Sequence, residues 1–260
     1  GFDITLQLLD HHITGKSSAA KYDWYFLDDK RCATKIVFDY LLKEFKAPLN
    51  DYKEWVDTVN AVDIWLENEK ENFEFGKVLM SMVTKAREIN SILFNSLDRD
   101  FKFYLLKNSI GFLSLENAPI VLDNSVHSLK KEFLKDGFDD TLDNLSASYL
   151  VKSLDKIKDD LTVYYNGQKG LMTYCLGAIS IPANSFLRAN SDYDFFIDVG
   201  RKGNASFRAD GKLDVSQLAS KLGNGGGHVN ASGCKFDDFI ETINLQEVRA
   251  YIQNKLNNLK

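Results

Sequence analysis

The sequence predicts an α/β protein of two domains joined by a helical segment, and three observations predict it. Short apolar runs near the start alternate with amphipathic helical patterns, as a mostly parallel sheet covered by helices requires. Residues from about 77 to 160 then read almost wholly as helix, through a charge-rich run, Lys130–Asp140, that contains Gly137. Beyond residue 160 the texture turns to short alternating strands, which implies a smaller second α/β domain with a mixed sheet. The expected division is residues 1–135, a helical linker over 136–160, and residues 161–260.

Composition limits the function. The chain has 260 residues, 44% of them hydrophobic and 12% aromatic, enough for two cores. No apolar run reaches 18 residues, so no membrane-spanning helix is expected. A net charge of −5 argues against a protein that coats long double-stranded nucleic acid, which needs a broad basic face. A small phosphorylated ligand in one local basic pocket remains compatible with it. Cys32, Cys175 and Cys234 are far apart without a CxxC spacing, which reads as reduced thiols of a cytoplasmic protein. No signal peptide is recognisable. The chain opens on Gly1 rather than Met, which reads as a trimmed start.

In order, Ile4–Leu9 is an apolar run expected as a buried strand, and it ends on Asp10, His11 and His12. Polar residues at the carboxyl end of such a strand are where open α/β sheets build sites. Two adjacent imidazoles point in different directions, so one can ligate a metal while the other faces a substrate. Asp10 can hold one ring by its second nitrogen. Tyr22–Leu27 is the next strand, with Asp28 or Asp29 as N-cap of a helix over about 31–46. Asn50 can cap another helix running through Trp55, Val59, Val62 and Trp65. Asp63 sits there among apolar residues and needs a partner, whether a basic side chain, a backbone cap or a cation. Asp57, in a more polar setting, is expected to be exposed.

The helical stretches are expected over Lys77–Leu97, near Phe101–Leu106, over Ile120–Leu134 and over Thr141–Lys158, with no role for His127. Leu161–Tyr165 and Leu171–Leu176 then read as a hairpin across the turn Asn166–Gly170. A helix over Ser180–Asn190 and strands over Tyr193–Val199 and Gly203–Arg208 follow. In the last of these, two-residue alternation puts Ser206 and Arg208 on one face. Arg208 offers a bidentate fork for phosphate and Ser206 a hydroxyl. A helix over Val215–Leu222 leads into Gly225, Gly226, Gly227 and His228, followed by Asn230, Ala231, Ser232 and Gly233. A run of bare backbone N–H groups can curl around an anion. Taken alone, it can equally be a flexible surface turn.

Together, Asp10-His11-His12 near one end and Gly225-Gly226-Gly227-His228 with Ala231-Ser232-Gly233 near the other resemble the paired signatures of the DHH phosphoesterase family. That family couples a DHH domain to a DHH-associated C-terminal domain. It includes RecJ-like exonucleases, nano-RNases that also dephosphorylate pAp, and cyclic-dinucleotide phosphodiesterases. The resemblance implies His11 and Asp63 as metal ligands, His12 at the scissile phosphate, and Asp10 orienting the site. It also implies a substrate clamp of Arg208 and Gly225–His228, assisted by Ser206 and Asn230.

The implied cofactor is a pair of Mn²⁺ ions about 3.5–4 Å apart, with Mg²⁺ as the substitute, sharing a hydroxide that attacks phosphorus. Imidazole and carboxylate donors suit these ions. The implied substrates are short oligoribonucleotides or small nucleotides such as pAp and linear or cyclic dinucleotides, and a homodimer is one expected assembly. The alternative is a nucleotide-binding or regulatory module without hydrolysis. The family also carries two aspartate motifs before DHH that supply about half of the metal ligands. Only nine residues precede Asp10, with Asp3 the ionisable one among them. The expectation is therefore a fragment with a truncated first domain, which by itself binds Mn²⁺ weakly and hydrolyses poorly.

Overall fold

The computed structural model describes residues 5–259. Gly1, Asp3 and Ile4, which entered the expectations above, lie outside the described residues. The chain packs as two compact units. One takes the chain through Ala86 together with Lys102–Leu129, and the other takes Arg87–Phe101 together with Lys130 onward. The stretch 136–160 carries a full helix and belongs to the second unit.

The first unit begins with β1 (Leu8–Asp10), a short helix α1 (Lys16–Ala19) and β2 (Tyr25–Leu27). The strands pair in parallel, Leu8 opposite Tyr25 and Asp10 opposite Leu27. Both are shorter than the apolar runs suggest, and β1 takes in Asp10. Helices α2 (Ala33–Phe45), α3 (Lys53–Asp63) and α4 (Lys70–Thr84) follow. Ile36, Phe38, Val56, Ala61, Val62, Phe75 and Met82 form the buried interior. Gly76 lets α4 close on α3, because a Cβ there would stand 2.7 Å from Val62 Cβ.

Two expectations fail in this unit, and a third fails in the stretch 85–94. The N-cap of α2 is Cys32, whose Sγ accepts from the Lys35 N–H, not Asp28 or Asp29. Asp28 is taken up by Arg31, which also holds Asp39. Asp57 is not a free surface residue, since Lys35 (2.7 Å) and Lys53 (3.0 Å) pair with it and hold its carboxyl below the usual range despite its burial. The helix expected over 77–97 ends at Thr84, and α5 (Asn95–Ser109) starts afresh. Asn90 makes the break: its Oδ1 accepts from the N–H groups of Ile92 and Leu93, and its Nδ2 donates to the Cys175 carbonyl. An asparagine that offers the backbone such local bonds competes with helix. Helices α5 and α6 (Ala118–Leu134) each contribute to both units.

The second unit holds α7 (Leu142–Asp155), α8 (Lys158–Leu161), β3 (Thr162–Tyr165), β4 (Gln168–Tyr174), α9 (Ser180–Ala189), β5 (Phe195–Val199), β6 (Asn204–Ala209), α10 (Val215–Leu222), β7 (Gly226–His228), β8 (Ala231–Lys235) and α11 (Leu245–Asn257). Its sheet runs β3-β4-β5-β6-β8-β7. Only β4 and β5 are parallel, joined by the α9 crossover, so the sheet is mixed as expected. The β3–β4 turn is shorter than expected, two residues, with Asn166 and Gly167 both at positive φ (49° and 81°), as a twisted hairpin prefers. All five residues of β5 are buried.

Candidate functional site

In the first unit the site is built at the carboxyl end of β1. Asp10 is its hub. Its Oδ1 accepts from the His11 N–H (2.8 Å), the His12 N–H (3.1 Å) and His12 Nδ1 (2.8 Å), while its Oδ2 accepts from the Tyr25 hydroxyl (2.5 Å). The Tyr25 bond, followed by those from His12, holds the Asp10 carboxyl well below the usual range. The same contact raises the Tyr25 hydroxyl above its ordinary value.

The two histidines use Nδ1 in opposite ways, one towards an acceptor and one towards a donor. His12 donates its Nδ1–H to Asp10, which turns Nε2 outward on a side chain 70% exposed. His11 Nδ1 instead accepts from the Ala33 N–H at 2.7 Å, in the first turn of α2. That N–H has no partner within its helix, so His11 satisfies a helix end. The neutral His11 ring then carries its proton on Nε2, which faces Asp63 Oδ2 at 3.6 Å. Asp63 is the last residue of α3 and stands 46% exposed. Asp39 and Asp57 are engaged by Arg31, Lys35 and Lys53, whereas Asp63 faces the motif.

The His11–Asp63 pair offers an imidazole nitrogen and a carboxylate, donors of the kind that would suit Mn²⁺. An ion at Nε2 must displace the ring proton. Among the described residues no group of three or more His, Cys, Asp or Glu could hold a metal.

In the second unit three of the expected substrate side chains, those of Ser206, Arg208 and His228, fall on one open sheet face. The register sets Arg208 opposite Ala231 and Ala231 opposite His228, while Ser206 lies opposite Gly233 and Gly233 opposite Gly226. Directly opposed residues share a face, so Ser206, Arg208 and His228 project together over a floor of Ala231, Gly233 and Gly226. Two strand spacings, about 9.6 Å, separate the Arg208 and His228 positions. On the other face α10 covers Ser232, whose hydroxyl donates to the Val215 carbonyl, and the buried Cys234.

The glycine run is a correction. Gly226–His228 is not a loop curled around an anion but an edge strand, paired antiparallel with β8. Its glycines are required by proximity. A Cβ on Gly225 would come within 2.8 Å of the Ala219 carbonyl, and one on Gly227 would come 2.6 Å from that of Ala231, at a φ of 145°. Asn230 Oδ1 accepts from the Gly211 N–H, so this side chain braces the approach to α10. Arg208 spans the Phe207 carbonyl (2.7 Å) and Ser180 Oγ (2.9 Å). The sequence reading missed Ser180 and Tyr25. Ser180 opens an expected helix, but its pairing depends on the α9 crossover. Asp198, also missed, is a buried carboxylate that accepts from Thr173 Oγ1 and from the N–H groups of Leu176 and Gly177. Burial raises it, and it pins the loop that delivers Ser180.

The family model of the DHHA1 domain matches residues 177–258. A protein of Helicobacter pylori (strain ATCC 700392 / 26695) named 3′,5′-cyclic-nucleotide phosphodiesterase is 43% identical over 261 residues, spanning 98% of this chain and 75% of that protein. This chain belongs to the DHH phosphoesterase family. The oligoribonuclease NrnB of Bacillus subtilis (strain 168) is 24% identical over 276 residues, across 98% of this chain and 60% of that protein. The fold is shared with a crystal structure of an uncharacterized protein from Helicobacter pylori G27, at a TM-score of 0.90 and 43% identity over 99% of this chain and 76% of that one. A phosphoesterase of this family is thus a hydrolase, and nucleotides or oligonucleotides fit the names of its relatives. Among the described residues no helix is long and apolar enough to cross a membrane.

Proposed function

We propose that this DHH phosphoesterase is a Mn²⁺-dependent phosphodiesterase or phosphatase of short oligoribonucleotides and small nucleotides, linear or cyclic. The observation that carries the reading is the Asp10–His12 pair, which presents the His12 Nε2 edge at the end of β1. In this reading His12 contacts the scissile phosphate and Asp10 fixes its ring. His11 and Asp63 hold a metal ion. Bound Mn²⁺ would neutralise phosphoryl charge and supply hydroxide at neutral pH. Arg208 turns its fork from Ser180 to a substrate phosphate, with Ser206, His228 and Asn230 beside it and Gly225, Gly226 and Gly227 keeping the floor thin.

The second reading, a nucleotide-binding module without hydrolysis, is favoured by the small number of metal donors among the described residues. A panel of dinucleotide RNA, pAp, 3′,5′-cyclic mononucleotides and cyclic dinucleotides, each with Mn²⁺ and with chelator, separates the two. Mn²⁺-dependent release of mononucleotide or phosphate supports the enzyme. Saturable binding without turnover supports the module.

A further inference from the structure

We propose that Tyr25 is a positioning residue of the phosphoester site: it locks Asp10 so that Asp10 can hold the His12 ring with Nε2 outward. This deepens the reading above and rests on it. The parallel register places Tyr25 opposite Leu8, so Tyr25, Leu8 and Asp10 share one face of the β1–β2 pair. Tyr25 and Asp10 are diagonal neighbours there, within reach of an aromatic side chain. The hydroxyl uses that reach to donate to Asp10 Oδ2 at 2.5 Å.

The other carboxylate oxygen carries three donors, all from His11 and His12. With Oδ2 unheld, the carboxylate could turn about its Cβ–Cγ bond and trade oxygens among those donors. With Oδ2 anchored, the plane of the group is set, and with it the bearing of the His12 ring. Gly15 closes the arrangement. Its N–H donates to the His12 carbonyl at 2.8 Å, and a Cβ on it would run into the Tyr25 hydroxyl and come 3.0 Å from Asp10 Oδ2. Its φ of −75° suits any residue, so the glycine is demanded by space rather than by backbone conformation. Motif, glycine and tyrosine are therefore one mechanical unit drawn from three places in the sequence.

The test uses two variants that break the same bond differently. Tyr25→Phe removes the hydroxyl and keeps the ring. Gly15→Ala keeps the hydroxyl and displaces it from Asp10. Nitrogen NMR of the ¹⁵N-labelled whole chain reads the His12 tautomer, with His12→Ala assigning the signal. The wild type should show Nδ1–H and a bare Nε2, and each variant a mixture of the two tautomers. On whichever nucleotide the protein cleaves, kcat should fall about tenfold in each variant while KM stays within about twofold, as loss of one charge-assisted hydrogen bond in a catalytic arrangement implies. Gly15→Ala placed on Tyr25→Phe should add less than about a further twofold, because coupled residues are not additive.

An unchanged His12 tautomer in Tyr25→Phe overturns the proposal, whether or not kcat moves. A tautomer shift with kcat unchanged on a cleaved nucleotide overturns it as well. If the tautomer shifts but no nucleotide is cleaved, the locking by Tyr25 stands and the phosphoesterase reading fails.

Discussion

Strand β5 of the second unit and strand β2 of the first are both short, apolar and central to their site, yet they live in different surroundings. β5 is paired on both edges and buried at every residue, under α9 and beside the face that carries Arg208. β2 pairs with β1 in a two-stranded sheet and leaves Phe26 43% exposed. The sites they support differ in the same sense. At β1–β2 four bonds to one carboxylate hold the His12 ring and the backbone that carries both histidines. At β6–β8–β7 the register of three paired strands places the side chains, and bare backbone makes the floor. A side-chain network localises chemistry without a large core, whereas a register-built face depends on the whole sheet beneath it.

The largest contrast should appear in catalysis. His12→Ala should lower kcat by about 10²-fold or more, the range for loss of a group that stabilises charge at the reacting centre. Arg208→Ala should act mainly through KM. A kcat loss for Arg208→Ala matching that of His12→Ala would erase the distinction between the two sites.

Stability should show the next difference. Phe196→Ala, in β5, should cost about 3–5 kcal/mol in urea unfolding, as for a fully buried aromatic. Phe26→Ala should cost less than about 1 kcal/mol, as for an exposed position. Equal costs would show that β2 is covered in solution.

Asp198→Asn tests whether the buried carboxylate carries the loop. Both of its oxygens accept backbone N–H groups, so an amide puts donor against donor and should cost about 1–3 kcal/mol. It should also raise KM, by displacing Ser180 and hence Arg208. Wild-type KM with lowered stability would separate the loop from the site.

The smallest effect concerns Cys234, whose thiol burial pushes up from 9.0 to about 11. Its folded state favours the protonated form, so the contribution is whole below pH 9 and is lost as pH rises towards about 11. Urea midpoints should fall over that window in the wild type and fall less in Cys234→Ala. Parallel curves would remove the thiol from the account.

Much of the second unit was legible because its signals are local. Asn166-Gly167 announces a hairpin, and the alternation in β6 puts Ser206 and Arg208 on one face. The first unit was less legible because its decisive contacts are long-range. Cys32 rather than an aspartate caps α2 because Arg31 has already taken Asp28, and Lys35 reaches across to Asp57 on α3. Tyr25 lies fifteen residues from Asp10 and carries no motif of its own. The glycine run was found by its composition and misread in shape, because pairing with β8 is set by the sheet and not by the glycines.

The two residues between β7 and β8, Val229 and Asn230, keep Arg208 and His228 on a common face. Val229 is exposed, and its side chain is open to substitution. Its spacing is not. Side chains alternate with a period of two, so one residue inserted here would turn His228 towards α10 and bring its neighbours out in its place. Position 229 is therefore free in identity and the corner forbidden in length, and an alignment of relatives should show substitutions at that position without gaps.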